Sequence, residues 1–506
     1  MAFAPEYKEI NLQTQKTLHS ESIVISNNIQ TSGFIIKQVL SVSAVPTVNM
    51  VNCINGNADI AGVLVVKALV VNAEREYQVI EQENSFNVHL QDADITEGAR
   101  LLAKADFVEV CSIAPTENSV STSIKIVVNS VLIKPQTIKY VQNVGNLSYQ
   151  KTEQNEFSNI INCITQNFDL SNEVNLPNNV SNILMTNAHC VLDDAMANAD
   201  MITLKGKVYA QVVYLSNEEV PKLRSQEYVL DFNQEFLSNG TVIDDKIIAS
   251  VDIIKSDCEV QGEMSSSKGV LVIKTSMAMN AEVVRNVQIE NVVDAFCPNY
   301  ALNLQSNVCK HQEMGSMQFD EKVDGSLSLP DDVRIDKILC VSTTYCMFNT
   351  MQSDNTMHLK GIVYANVIYQ LDDDNATTGA ILAEIPFEKE LEMQTNDIMV
   401  HINVKEIEAR SKRVKDIDIQ ADVNIMVNYA QNVNKLLIND VSLGDKEECC
   451  HKALGVYVVN NINEVWDIAK MLKVSPDVVL MQNPNITFPI TKPTNIMIYR
   501  QMVQNS

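Results

Sequence analysis

Glycine and proline are scarce in this 506-residue chain, at 15 and 13 residues, and there is a single tryptophan. Collagen-like and linker-dominated architectures are thereby excluded. Basic side chains are also short: 38 Lys and Arg stand against 63 Asp and Glu, a net charge of −25. Phosphate binding depends on Lys and Arg, so neither nucleic acid nor an anionic membrane surface is an expected partner. Long apolar runs are missing. The longest, near Ile60–Val71, is interrupted by Lys67 and is too short to span a bilayer. No secretory leader is recognisable, because Met1–Ile10 (MAFAPEYKEI) carries acidic residues and no apolar centre. The 11 cysteines are odd in number, scattered and without a CxxC pair, which predicts free thiols in a reducing cytosol. What is present is a globular composition, 46% hydrophobic, and a length that suits about three to four domains.

Catalytic and metal-binding patterns are equally sparse. No Gly-rich phosphate loop, paired-carboxylate motif or HExxH occurs. Cys449, Cys450 and His451 form a small cluster, but a zinc site needs about four spaced ligands, so a surface linker is the better reading. Asp372–Asp374 with Asn375 lacks the Gly and distal Glu of a calcium loop and reads as a solvated hairpin tip. His189 and Cys190 are adjacent, and neighbours on a strand point to opposite faces, so they do not form a catalytic pair. The sequence thus predicts no catalytic residue, no metal ligand and no cofactor.

A repeat organises most of the chain. Leu204–Tyr214 (LKGKVYAQVVY) and Leu359–Tyr369 (LKGIVYANVIY) are identical at eight of eleven positions and lie 155 residues apart. Ile60–Val70 (IAGVLVVKALV) is a weaker third copy, with Gly62 in the place of Gly206 and Gly361. Each copy continues into a shorter strand (Phe86–Leu90, Leu230–Phe236, Ile385–Leu391) and then an alternating pair of strands. The clearest is Asp416–Tyr429, where Ile417, Ile419, Ala421, Val423, Ile425 and Val427 alternate with polar residues at period 2. The expectation is a mainly β protein with three tandem sandwich- or barrel-like domains, over 20–145, 172–300 and 325–445. Boundaries are expected in the Asn-rich Gln142–Asn175 and in Met314–Asp332. A bulge or a close backbone approach would explain the recurring glycine. Cys190 and Cys346, at nearly matching positions, read as small core residues.

The last fifty residues change period. Val465, Ile468, Ala469 and Leu472 make one apolar stripe at helical spacing, with Asn463 as the expected N-cap. Ser475-Pro476 opens a second short helix that Asn483-Pro484 ends. Strands Val456–Val459 and Ile496–Tyr499 flank them, giving a β-α-α-β unit over 452–501. Residues 451–506 hold five basic and three acidic side chains, a charge of +2 on a body of −27. That difference suits docking on an acidic protein surface.

This unit resembles a LysM domain. The resemblance is carried by Val456–Val459, Trp466-Asp467-Ile468-Ala469, the Val474-Ser475 turn, Leu480 and Asn483-Pro484-Asn485-Ile486. LysM domains usually carry Gly-Asp-Thr in the sugar-groove loop, and here Ile462-Asn463-Glu464 stands instead, which counts against glycan binding by this copy. The three β-rich copies resemble the SPOCS (spore-coat) domain, on the Gly206-led and Gly361-led strands and on Asp294-Ala295-Phe296-Cys297-Pro298-Asn299-Tyr300. SPOCS repeats followed by a LysM are similar to clostridial spore-coat morphogenetic proteins. The resemblance implies a non-enzymatic scaffold in the mother-cell cytosol at the forespore surface, whose LysM binds the basement-layer ATPase of the spore coat and whose repeats bind other coat proteins.

Within that expectation the partner contacts fall on Ile462, Asn463, Glu464, Val465, Trp466, Asn483, Asn485 and Ile486. Spacing gives Ile462, Asn463 and Glu464 no core duty, and leaves Trp466 open between core support and direct partner contact. Two other classes stay in play. One is a peptidoglycan or N-acetylglucosamine-polymer binder, or a phage tail or baseplate component. The other is an enzyme whose site is assembled between β-domains.

Overall fold

The computed structural model describes residues 3–96, 99–177, 179–219, 221–262, 269–330, 333–353, 356–373, 377–395, 397–412, 415–447 and 454–499. The Cys449-Cys450-His451 cluster, and Asp374 with Asn375, lie outside them.

The chain is mainly β. Residues 6–143 form strands β1 (Glu6–Thr17), β2 (Glu21–Gln30), β3 (Ile36–Ile54), β4 (Asn57–Asn72), β5 (Tyr77–Gln91), β6 (Arg100–Pro115) and β7 (Ser119–Asn143). β3-β4-β5 is one antiparallel sheet, and β7 pairs with β1, β2 and β6 in the other. Next come β8 (Tyr149–Asn175), β9 (Val180–Asn198), β10 (Met201–Ser216), β11 (Leu223–Leu237), β12 (Lys246–Gln261) and β13 (Val270–Phe296). They pair as β9-β10-β11 and β12-β13-β8. Then β14 (Tyr300–Ser328), β15 (Ile335–Ser353), β16 (Thr356–Leu371), β17 (Thr378–Leu391), β18 (Asp397–Ser411) and β19 (Asp416–Lys446) pair as β15-β16-β17 and β14-β19-β18. Every one of these sheets is open, so the barrel alternative does not hold. The two sheets of each stretch face each other across an apolar core, as period-2 alternation requires.

Most of the two stretches expected as boundaries is strand. Gln142–Asn175 holds β8, whose 27 residues pair with β13, and Met314–Asp332 holds the second half of β14, paired with β19. Both are edge strands with one wet face, so their composition is polar enough to resemble a linker.

Gly62, Gly206 and Gly361 sit on the middle strands β4, β10 and β16, directly opposite Phe86, Phe232 and Phe387. Each phenyl ring lies over its glycine. A Cβ on Gly206 would stand 2.4 Å from the Val191 carbonyl oxygen and 2.7 Å from the Phe232 ring. On Gly62 it would meet the Phe86 ring at 2.3 Å and the Thr47 carbonyl oxygen at 2.4 Å. On Gly361 the three nearest atoms all belong to Phe387, the closest at 2.1 Å. The close approach is therefore mainly to an aromatic side chain, an arrangement that fills the gap a strand glycine leaves. Cys190 and Cys346 pair across strands with Val208 and Val363 and pack in or against the cores. Burial pushes both thiols up, Cys346 to about 12, as expected of filler side chains and not of nucleophiles.

Four further apolar clusters each draw on all three stretches. In one, Leu69, Val213 and Ile368, each seven residues after its glycine, meet Leu40, Met185 and Cys340. In another, Val141, Val292 and Ile438 come together from β7, β13 and β19. At this centre Val131, Glu282 and Asn428 line one cavity of about 50 Å³. Glu282 is only 7% exposed, and burial pushes its carboxyl up to about 7. A folded-state value above the unfolded one means that the folded chain holds the extra proton. Stability is then fullest below about pH 4.5 on this account and falls as pH rises to about 7, by about 3 kcal/mol. Glu282→Gln is expected to remove that slope and to raise the urea midpoint at pH 8, with little change at pH 5. Equal midpoint changes at both pH values would contradict it.

Residues 454–499 form β20 (Leu454–Val459), α1 (Val465–Leu472), α2 (Pro476–Gln482) and β21 (Thr494–Tyr499), in the expected β-α-α-β order. β20 and β21 pair antiparallel. Ile468, Ala469, Val479, Ile496 and Ile498 fill the small core. The N-cap of α1 is Glu464, one residue later than expected: its extended backbone N–H donates to the Asp467 carboxylate (3.4 Å), a reciprocal arrangement that Asn463 is too far out to make. Ser475 caps α2, and its Oγ accepts from the Asp477 N–H.

Candidate protein-interaction site

The C-terminal module sits against the last residues of β13. Lys151 and Tyr149 on β8 stand opposite Asp294 and Phe296 on β13, so the end of this two-stranded ribbon presents two charged and two aromatic side chains in a compact corner. Side chains two apart on a strand share a face, which is why Asp294 and Phe296 act together. The Phe296 ring lies 5.3 Å from Tyr149 and 5.2 Å from Trp466, centroid to centroid. Trp466 Nε1–H donates to Asp294 Oδ2 (2.8 Å), and Lys470 Nζ donates to Asp294 Oδ1 (2.6 Å). Trp466 and Lys470 are four residues apart on α1, so one helix face delivers both to one carboxylate. Lys151 pairs with Glu464, and Lys473 with Glu447 (3.0 Å). Burial alone would raise the Asp294 carboxyl, but Lys470 and the indole N–H outweigh it and hold the group below the usual carboxylate range.

The expected contact residues are distributed unevenly over this geometry. Trp466 is 8% exposed and belongs both to the module core and to the contact with β13. Glu464 caps α1 and faces Lys151. Val465 is half-buried against the core. Ile462 does have a core duty: its backbone exchanges both hydrogen bonds with Ile490 (3.1 and 2.7 Å), and its side chain packs on the module core. The expectation that Ile462 has no core duty is corrected accordingly, since a lone bridge outside the strands leaves no periodic signal. Asn483 is tied internally. Its amide N–H donates to the Val479 and Met497 carbonyls, and its oxygen accepts from the Met497 N–H. Gln482 does the same for Tyr499, so the outer edge of β21 is closed by two side-chain amides. Ile486 packs partly on the core. Asn463 and Asn485 are exposed. Spacing misses Lys151 and Asp294 as contact residues, because neither lies near the module in sequence.

His189, expected apart from Cys190, is held on the other face of β9 and lines cavities between the stretches, where burial lowers it to about 4. Among the described residues, no group of three or more His, Cys, Asp or Glu is placed to hold a metal ion. No helix among them is long and apolar enough to cross a membrane. Comparison with protein-family models, curated proteins and solved structures gives no match.

Proposed function

We propose that this chain is a non-enzymatic spore-coat scaffold or adaptor of the mother-cell cytosol, built of three copies of a SPOCS-like domain and a LysM-like module. The module binds the basement-layer ATPase of the coat at the forespore surface, and the three β-rich copies bind further coat proteins. The observation that carries this reading is the recurrence of one plan. A leading strand (one long strand in the second and third copies, split into β1 and β2 in the first), a three-stranded meander and a returning hairpin occur three times, each with a phenylalanine over a middle-strand glycine. A β-α-α-β module follows the third. Repeated β-domains with a terminal module suit a bridge between proteins better than a reaction vessel.

The test is capture by the full chain of purified basement-layer ATPase, set against chitin oligomers. Retention of the ATPase alone supports the proposal, and tight glycan binding with no protein partner returns the peptidoglycan reading. Trp466→Glu is expected to abolish ATPase capture, because a charge at an 8%-exposed position disrupts both module core and contact face. Asn463→Arg with Asn485→Arg, both exposed, should weaken capture about tenfold or more without lowering the melting temperature, as crowding a binding face does. Unchanged capture by the double variant would remove that face from consideration.

A further inference from the structure

We propose that the α1 face of the C-terminal module is a receptor for an acidic–aromatic β-ribbon corner, filled within this chain by Lys151, Asp294 and Phe296 and open, once vacated, to a partner with the same corner. The inference rests on the reading of the module as the binding end of the chain, and adds the chemistry of what it binds.

The two surfaces are complementary in charge and shape. Glu464 meets Lys151, Lys470 meets Asp294, and Trp466 spans the gap with its N–H on the carboxylate and its ring against Phe296. The recognised element is a cross-strand corner: a carboxylate, an aromatic two residues further along the same strand, and a lysine across the ladder. A helix face with Trp flanked by one acid and one base fits that corner in a single orientation, because reversal sets Glu464 against Asp294. Trp is also the side chain most enriched at binding hot spots.

The contact within the chain is built to be exchangeable. Side chains of its three ion pairs are 26–47% exposed, so each is screened and contributes little alone. Its dry part includes the Phe296–Trp466 ring pair and the indole hydrogen bond. Tethering supplies the rest, since a module on the same chain experiences an effective ribbon concentration on the order of millimolar. A partner ribbon with a larger dry surface displaces it, and the same face cannot hold both. The chain therefore carries its own competitor for the partner.

Trp466 is the only tryptophan, so its emission reports this face alone. In full-length Asp294→Lys the internal corner is broken and the receptor is intact. In full-length Trp466→Phe, Lys470→Glu the receptor is broken, the corner is intact, and the chain is silent. Expected first is that Asp294→Lys shifts Trp466 emission to the red and exposes it to acrylamide. Expected next is that the silent chain restores the wild-type emission saturably by about millimolar concentration, with a heterodimer seen by sedimentation. Asp294→Ala with Lys151→Glu serves as a second receptor chain should Asp294→Lys unfold. Unchanged emission in the receptor variants would overturn the proposal. So would an absence of recovery at millimolar silent chain, or equal recovery by a silent chain that also carries Asp294→Lys. No coat protein enters this experiment, so its failure is distinct from failure of the scaffold reading, which ATPase capture decides.

Discussion

Gly206→Ala is expected to lower stability by about 3 kcal/mol or more, and removing the neighbouring ring will not restore it. The added methyl meets the Val191 carbonyl oxygen at 2.4 Å, and a backbone oxygen held in the β9–β10 ladder gives way less readily than a side chain. Gly361→Ala meets only the Phe387 ring among its nearest atoms. There the ring can be taken away. Phe387→Ala alone should cost about 3–5 kcal/mol for the emptied core. In the double variant Gly361→Ala, Phe387→Ala the new methyl occupies space the ring has left, so the two costs should fall short of their sum by about 1–3 kcal/mol. The matching cycle at Gly206 and Phe232 should be closer to additive. Urea midpoints of six variants decide the matter. Coupling at Gly206 as large as at Gly361 would mean that the ring, and not the carbonyl, governs both glycines.

This pair of sites also shows what was legible in the sequence. The glycine is visible as a repeated letter, which calls for either a bulge or a close backbone approach; register shifts do fall beside Gly62 and Gly206. The phenylalanine was visible too, inside Phe86–Leu90, Leu230–Phe236 and Ile385–Leu391, but its position over the glycine depends on cross-strand register, which no spacing within one strand reveals. Alternation foretold the strands of Asp416–Tyr429 because one face is dry and the other wet. It did not foretell β8, whose Asn- and Gln-rich sequence sits on a sheet edge. In the C-terminal module, stripe and cap chemistry placed both helices to within a residue. Its seat was hidden, because Lys151 and Asp294 lie 313 and 172 positions upstream of Glu464 and Trp466 and meet them only through the packing of the whole body. Local pattern reads elements well, and contacts between distant elements poorly.

Lys104→Met is the second substitution expected to act strongly, because Lys104 joins all three stretches. Its ammonium on β6 lies 3.1 Å from Asp106 of the same strand, 3.0 Å from Asp252 on β12, and 2.9 Å from His401 Nδ1 on β18. Lys104 is 16% exposed and His401 2%, whereas the two carboxylates keep more than a quarter of their surface in solvent. Burial would lower the Lys104 ammonium, but Asp106 and Asp252 outweigh it and raise it. Burial would likewise raise the Asp252 carboxyl, and Lys104 outweighs it, holding the acid far below its ordinary range. Removing the cation leaves two carboxylates facing each other at a junction with little water. The loss should be about 2–4 kcal/mol, the lower part of the range for breaking a buried pair because the acids are partly wet. Neutralising one of the two acids in Lys104→Met, Asp252→Asn should recover more than half, since the cost is that of an orphaned charge and not of a missing bond. The sign of the pH dependence follows. Asp252 titrates lower folded than unfolded, so its contribution is complete above the ordinary carboxylate range and is lost as pH falls through the folded value. The wild-type advantage over Lys104→Met should therefore be full at pH 7 and shrink towards pH 3. If calorimetry shows one cooperative transition in the wild type and separate ones in Lys104→Met, the junction couples the three stretches as well as stabilising them. A Met variant that melts with the wild type at pH 7 would show the cluster to be solvated, and would leave the apolar clusters, that of Leu69, Val213 and Ile368 among them, as the main tie between the stretches.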